Sequence, residues 1–202
     1  MTKLLVIDTE TGGVDPDRHS ILSLAAVVWE GGEIRGEIEI LVAEPDFAVT
    51  TRALEMNRID LVAHGRRAIA PREALALLQE FVFKHFGQEL SAGEQLVLAG
   101  HNVGFDIGFL KRLYRLAGAE FPSIFSHRVL DTASALRFLS LAGLLPAAAI
   151  SSSGAFDYLG ITIQAEKRHS ALGDARGTAE LLTRLVELVS LPRERLQTNF
   201  AA

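Results

Sequence analysis

Residues 3–8 read Lys-Leu-Leu-Val-Ile-Asp, a continuous apolar run with β-branched members. Such a run predicts a strand buried on both faces, at the centre of a sheet. A second apolar run, Ile21 to Trp29, ends at Gly31-Gly32; beyond that turn Ile34, Gly36, Ile38, Ile40 and Val42 alternate with Glu33, Arg35, Glu37 and Glu39. The alternation predicts a hairpin whose second strand is half exposed. Thr50 to Ala63 suits short helical segments around Ala53-Leu54-Glu55-Met56. Pro71 opens a longer helix through Ala74, Leu77, Leu78, Phe81, Val82 and His85, with Gly87 as its expected stop.

Gln95 to Gly100 forms another short apolar run, followed by a helix whose apolar positions Phe105, Phe109, Leu110, Leu113 and Leu116 recur at helical spacing, with Gly118 ending it. Arg128 to Leu130 is a further candidate strand, leading into a helix from about Thr132 to Ala142. Pro146 to Ser153, with three alanines and three serines, is the least patterned stretch and is expected to be a flexible loop. The last helix is expected from Ala171 to Val189, with Asp174, Thr178, Leu181, Leu182, Leu185 and Val189 on one face and Pro192 just beyond.

This order predicts an α/β fold: a mixed central sheet with an antiparallel hairpin at one edge, right-handed parallel crossovers after it, and helices on both faces. At ~150 residues per domain, 202 residues imply one domain, placed at 1–192, with 193–202 as a C-terminal tail. A hydrophobic fraction of 49% with 22% charged residues suits a globular core, not a disordered chain. The absence of cysteine removes disulfides, thiolate metal sites and cysteine nucleophiles, so any metal must sit on oxygen or nitrogen. The apolar run Leu4 to Ile7 is too short for a signal segment or a membrane span, and a soluble cytoplasmic protein without membrane partners is expected. A net charge of −5 argues against sequence-blind coating of duplex nucleic acid, without excluding a local contact through a few cations and arginines.

The chemistry concentrates in three segments. In Asp8-Thr9-Glu10, period-two alternation puts both acids on one side of the carboxyl end of a buried strand, where ligands collect in open sheets. Two carboxylates that close need a proton, an arginine or a divalent cation; alone, the segment fits a turn or helix N-cap equally well. Asp106, in His101-Asn102-Val103-Gly104-Phe105-Asp106, follows an apolar strand at a helix start and belongs at the same edge; alone, it reads as an ordinary acid near a helix dipole. In His169-Ser170-Ala171-Leu172-Gly173-Asp174, five steps of about 100° keep His169 and Asp174 off a common helix face, so His169 belongs on the entering loop. Asp174 occupies an apolar stripe, where a carboxylate is costly unless a cation receives it. Four carboxylates from three segments suit Mg²⁺ or Mn²⁺. A pair of such ions points to phosphodiester hydrolysis, with a histidine able to accept the proton of the attacking water. His19, His64, His85 and His127 are read as ordinary exposed histidines.

With these residues in hand, the sequence resembles the DEDDh 3′→5′ exonucleases, a family that includes the proofreading subunit of bacterial replicative DNA polymerase. Val6 to Gly12 looks like the first motif, His101 to Asp106 the second and His169 to Asp174 the third, in the family's order. The resemblance implies a ribonuclease H-like fold, two bound Mg²⁺ or Mn²⁺ ions, and release of nucleoside 5′-monophosphates from single-stranded DNA or RNA 3′ ends, in proofreading or repair. It makes Asp8, Glu10, Asp106 and Asp174 metal ligands and His169 the general base. Thr11, Gly12, Asn102 and Phe105 become candidate contacts to the terminal nucleotides, and Asp131, in Asp131-Thr132, a structural residue. Lys167 and Arg168, beside the base, are candidate phosphate contacts; Lys111, Arg112 and Arg115, like Arg66, Arg67 and Arg72, read as solvated faces.

The chain departs from many relatives at Gly12-Gly13 in the first motif and at Ser23, where a glutamate is common. It also ends soon after the third motif, which suits a free-standing exonuclease or one tethered through another surface, with a DNA polymerase as a candidate partner. The rival readings are an exoribonuclease or internally cutting nuclease on the same fold, and a non-catalytic protein-binding module.

Overall fold

In the computed structural model, which describes residues 3–163 and 170–190, β1 (Lys3–Thr11) takes the central place its apolar run requires. Leu4, Leu5, Val6 and Ile7 are all buried. β2 (Ile21–Glu30) pairs antiparallel with β1, and β3 (Glu33–Leu41) antiparallel with β2. The hairpin turns through Gly31 and Gly32 at φ of 61° and 93°, a left-handed geometry that residues with a side chain resist. β4 (Val97–Gly100) lies parallel on the other side of β1, and β5 (Leu130–Asp131) parallel to β4. The order β3-β2-β1-β4-β5 is a mixed sheet with an antiparallel hairpin at one edge, as expected.

Alternation along β1 divides the core. Leu5 and Ile7 face α3 (Pro71–Ser91) and α4 (Gly104–Leu116). Leu4 and Val6 face α7 (Ala171–Val189), whose Ala171, Ala175 and Ala179 form a small-residue stripe that brings the helix close to the sheet. Trp29 Nε1 donates to Thr183 Oγ1 at 2.9 Å and fastens α7 to the hairpin. α5 (Thr132–Leu141), a 3-10 turn at Ala147–Ile150 and α6 (Ser152–Leu159) cover the outer flank of α7 around Leu136, Phe156, Leu181 and Leu185. Short α1 (Thr51–Asn57) and α2 (Leu61–Gly65) lie between β3 and α3. Among the described residues no helix is long and apolar enough to cross a membrane.

Several expectations are corrected. Gly87 does not end α3; the helix runs on to Ser91, because Phe86 and Leu90 still pack into the core and outweigh the ~1 kcal/mol that a helical glycine costs. Pro146 to Ser153 is not a loop: its alanines favour helix, Ser151 Oγ caps α6 by accepting from Gly154 N at 3.2 Å, and Ala149, Ala155 and Phe156 are buried. The strand expected at Arg128 to Leu130 is shifted to Leu130–Asp131. His64 is buried in α2 with Nε2 3.0 Å from Val42 O, and His85 lies within α3. Arg112 is no solvated charge either: it grips buried Glu44 through two hydrogen bonds of 2.8 and 2.5 Å and donates to Pro16 O at 3.0 Å. The proposed tail at 193–202 lies outside the described residues.

Candidate active site

The sheet delivers the acids to one rim. Asp8 and Glu10 continue the Leu4–Val6 face of β1, the face that α7 covers, and Asp174 enters from the first turn of α7. Ser170 caps that helix, its side chain accepting from Gly173 N at 3.1 Å. One carboxylate oxygen from each of Asp8, Glu10 and Asp174 lies within 4.8 Å of the other two. The β1–β2 register shifts between Glu10 and Thr11, an irregularity of the kind that re-aims side chains at sheet rims.

Asp106 arrives from the other side of the sheet, in the first turn of α4, and is buried. Thr9, whose side chain points to the opposite face from Asp8 and Glu10, donates from Oγ1 to Asp106 Oδ1 at 2.7 Å. One strand therefore supplies two acids by its even positions and orients another by its odd one. A fifth carboxylate, Glu39 on β3, lies in the same cross-strand row through Ala25, which pairs with both Asp8 and Glu39.

Crowding sets the electrostatics. Burial first, then repulsion from Asp106, Asp174, Glu10 and Glu39, raises Asp8 well above the ordinary carboxyl range. Burial, with Asp174, Glu39 and Asp106, pushes Glu10 up to about 8. Burial also carries Asp106 to about 7, opposed by the hydrogen bond from Thr9. Among the described residues no lysine or arginine lines the cavity of about 200 Å³ around these acids. Negative charge so concentrated must be met by protons or by a cation. A 4.8 Å span matches oxygens across a hard divalent ion, about 4–5 Å for metal–oxygen bonds of roughly 2.0–2.6 Å. The donor set, oxygen alone, fits such an ion.

Two further cavities flank this centre. One, of about 550 Å³ and mostly apolar, is lined by Thr11, Gly13, Val14, Arg52, Met56 and Phe105. Phe105 packs one side against Phe109, with ring centroids 5.0 Å apart, and still borders the cavity. Thr11 Oγ1 donates to Gly13 O at 2.7 Å, and Asn57 Nδ2 donates to Thr11 O at 3.1 Å. Gly12 stands behind them: a Cβ there would lie 2.3 Å from Ala48 O, so its contribution is a close backbone approach. The other cavity, of about 510 Å³, adds His101, Ser152, Ser153 and Asp157 to Asp8 and Asp174.

The loop after β4 is held by Asp131. Its Oδ1 accepts from Asn102 N at 2.7 Å and Ala133 N at 3.1 Å, and its Oδ2 from Ser134 Oγ at 2.9 Å. Burial works to raise Asp131, but these bonds outweigh it and keep the carboxyl below its ordinary range. Asn102 sits at φ 61° and borders the acid cavity. His101 borders it too, and burial lowers its pKa although the Asp131 charge works the other way.

The structure thus gathers Asp8, Glu10, Asp106, Asp174, Thr11, Asn102 and Phe105 at adjoining cavities. Lys167, Arg168 and His169 lie outside the described residues. Sequence reasoning missed Glu39, Met56, Asn57 and Asp157, and gave His101 no role. Only Glu39 left a signal, its register through Ala25.

Comparison with known proteins places this geometry in context. Residues 5–182 match the RNase_T family, described as exonucleases. Ribonuclease T of Wigglesworthia glossinidia brevipalpis is 28% identical over 188 residues, covering 90% of this chain and 83% of that protein. A DNA polymerase III subunit epsilon-like protein of Rhodobacter capsulatus is 32% identical over 201 residues, covering 98% of this chain but only 25% of that protein. Among solved structures, the nuclease domain of 3′hExo, a DEDDh family member bound to rAMP, superposes with a TM-score of 0.71 at 17% identity, over 92% of each chain. The zinc-bound complex of E. coli Exonuclease I with single-stranded DNA gives 0.74 at 17% identity, over 98% of this chain and 43% of that one. Both likenesses are of fold, the ribonuclease H-like sheet with helices on both faces.

Proposed function

This chain belongs to the RNase_T family of exonucleases, of the DEDDh type, and on that premise we propose that it removes nucleoside 5′-monophosphates from single-stranded 3′ ends with the help of two divalent cations, Mg²⁺ or Mn²⁺. The observation that carries the reading is the convergence of Asp8, Glu10 and Asp174 oxygens within 4.8 Å in a cavity that no lysine or arginine lines among the described residues. When bound, such cations neutralise the acids and stabilise charge on the phosphate oxygens.

The chain's own residues divide the remaining work. Asp8, raised by every other acid of the cluster, is central and would be a ligand to the cations. Glu10 and Asp174 would hold a cation together with it, and Asp106, oriented by Thr9, would complete the set of acid ligands. His169 takes the proton of the attacking water. Thr11, Asn102 and Phe105 position the terminal nucleotides, the base and sugar filling the apolar cavity, and Gly12 sets the path of that loop. Lys167 and Arg168 meet the phosphate backbone, and residues 1–192 act as one exonuclease domain.

Likeness to the epsilon-like protein supports a DNA substrate in proofreading or repair and association with a polymerase. Likeness to ribonuclease T, over most of that protein's length, favours a second reading, RNA 3′-end processing. Matched DNA and RNA oligonucleotides, labelled in the 3′-terminal nucleotide and digested with Mg²⁺ or EDTA, separate the two. Mononucleotides from the earliest times, lost with EDTA and in Asp8→Ala, are expected. Internal fragments, or full activity in Asp8→Ala, would refute the mechanism.

A further inference from the structure

Asp131 ends β5 and Thr132 begins α5, beside β4 and two strands from the acids of β1, and both side chains are committed to the end of β4 and the residues after it. Thr132 is fully buried and donates its hydroxyl proton to Gly100 O at 3.1 Å. The same oxygen lies 3.1 Å from His101 Nδ1. A hydroxyl has a single proton, so the second bond runs from the ring: Nδ1–H donates and Thr132 Oγ1 accepts. That choice fixes the neutral ring in one tautomer and leaves Nε2 as an acceptor.

The ring's place is equally constrained. Asp131 accepts from Asn102 N, and Asn102 holds a left-handed φ of 61° that few residues with side chains adopt. Among the described residues Nε2 makes no hydrogen bond. The ring borders both the acid cavity and the adjoining polar cavity, each of which also contains Asp8 and Asp174. An unprotonated nitrogen cannot bind a phosphate oxygen; it needs an O–H. Nor does a ring nitrogen belong to the group of ligand atoms of Asp8, Glu10 and Asp174 that lie within 4.8 Å of one another, which leaves a water as the link from His101 to an ion held by those three acids.

Resting on the cation reading above, we propose that His101 is a positioning residue: its Nε2 accepts a hydrogen bond from a water in the shell of the divalent ion held by Asp8 and Asp174, and Thr132 dictates the tautomer that allows it. The test uses the full chain without substrate. Long-range ¹⁵N NMR of the metal-free protein should find the His101 proton on Nδ1, the signal being assigned by its loss in His101→Asn. Calorimetric titration with Mn²⁺ should then give a Kd weakened about tenfold in His101→Asn, whose amide retains the bond to Thr132 but lacks Nε2. His101→Gln, whose amide reaches the Nε2 position, should recover most of the affinity. Thr132→Val should weaken Mn²⁺ binding in the same direction and admit the other tautomer. With oligonucleotide, kcat should fall in His101→Asn with KM little changed.

A proton found on Nε2 overturns the proposal, as does Mn²⁺ affinity in His101→Asn equal to that of the parent. If the parent binds no Mn²⁺, the cation reading fails and takes this one with it; if the parent binds and the variant matches it, only His101 loses its role. Should His101→Asn fail to fold, His101→Gln supplies the assignment, and the tautomer and the Thr132→Val titration decide.

Discussion

Glu10→Gln should stabilise the metal-free fold while destroying the cluster's capacity for a cation. Glu10 titrates at about 8 against an ordinary 4.5, through burial first and then repulsion from Asp174, Glu39 and Asp106. At ~1.36 kcal/mol per pH unit of displacement, keeping Glu10 ionised there costs up to ~5 kcal/mol, a large share of the ~5–15 kcal/mol that holds a domain together. The sign follows from where the proton sits. Between pH of about 4.5 and about 8 the folded chain holds a proton that the unfolded chain has lost, so stability declines as pH rises through that window. Below it both states are protonated and the charge costs nothing. Glutamine keeps the shape and removes the charge but remains a desolvated polar group, so a gain of roughly 2–4 kcal/mol is expected above pH 8. For a chain of this size that is a rise in Tm on the order of 5–15 °C. Melting curves in EDTA from pH 4.5 to 9 should show the parent and variant together at the acid end and separating toward pH 8.5. Saturating Mn²⁺ should raise the parent and leave the variant nearly unmoved. A Tm difference independent of pH, or a variant less stable than its parent at pH 8.5, would refute the reasoning.

Three other outcomes are expected. If His169 is the base, the rate should rise with pH through the histidine range and then level, while His169→Ala lowers turnover with Mn²⁺ affinity nearly intact; a flat profile in the parent counts against the assignment. Arg112→Ala strands Glu44, whose side chain is 3% exposed, with one remaining backbone donor at Ile21 N, 2.9 Å away; urea denaturation should register a loss of ~3–5 kcal/mol, and a loss under ~1 kcal/mol would mean that the buried carboxylate finds another partner. Arg58 ends α1 in the left-handed region at φ 56°, with its N–H on Leu54 O at 2.9 Å. Arg58→Gly should therefore stabilise by ~0.5–1 kcal/mol in the same assay, and any destabilisation contradicts it.

Much of this molecule was legible in its sequence because periodicity reports burial directly. The run from Leu4 to Ile7 is apolar at odd and even positions alike, and both faces of β1 are covered. α7 begins and ends where its stripe does, with Asp174 turned toward the acids of β1. What escaped depended on partners distant in sequence. Nothing near Arg112 announces Glu44, 68 positions earlier, and a basic residue on a helix reads as solvated until that carboxylate is placed. The alanines and serines at 146–153 lack a pattern because α6 is short and its burial comes from α7. His101 stands within a recognisable motif, yet its orientation is set by Thr132, 31 positions later, a contact that pairing of β4 with β5 creates.

That dependence ties the chemistry to the sheet register. Leu5, Ile7 and Thr9 share one face of β1 and Leu4, Val6, Asp8 and Glu10 the other, so a slip by one residue would exchange the two packed faces and turn both acids toward the layer beneath α3 and α4. The same pairing that buries four consecutive apolar side chains thus forces two carboxylates against Asp174. With the backbone positions of both acids set by that register, their repulsion is met by protons or by a cation. The cluster keeps its repulsion because the core around β1 outweighs it, and a bound divalent cation would convert that repulsion into binding energy.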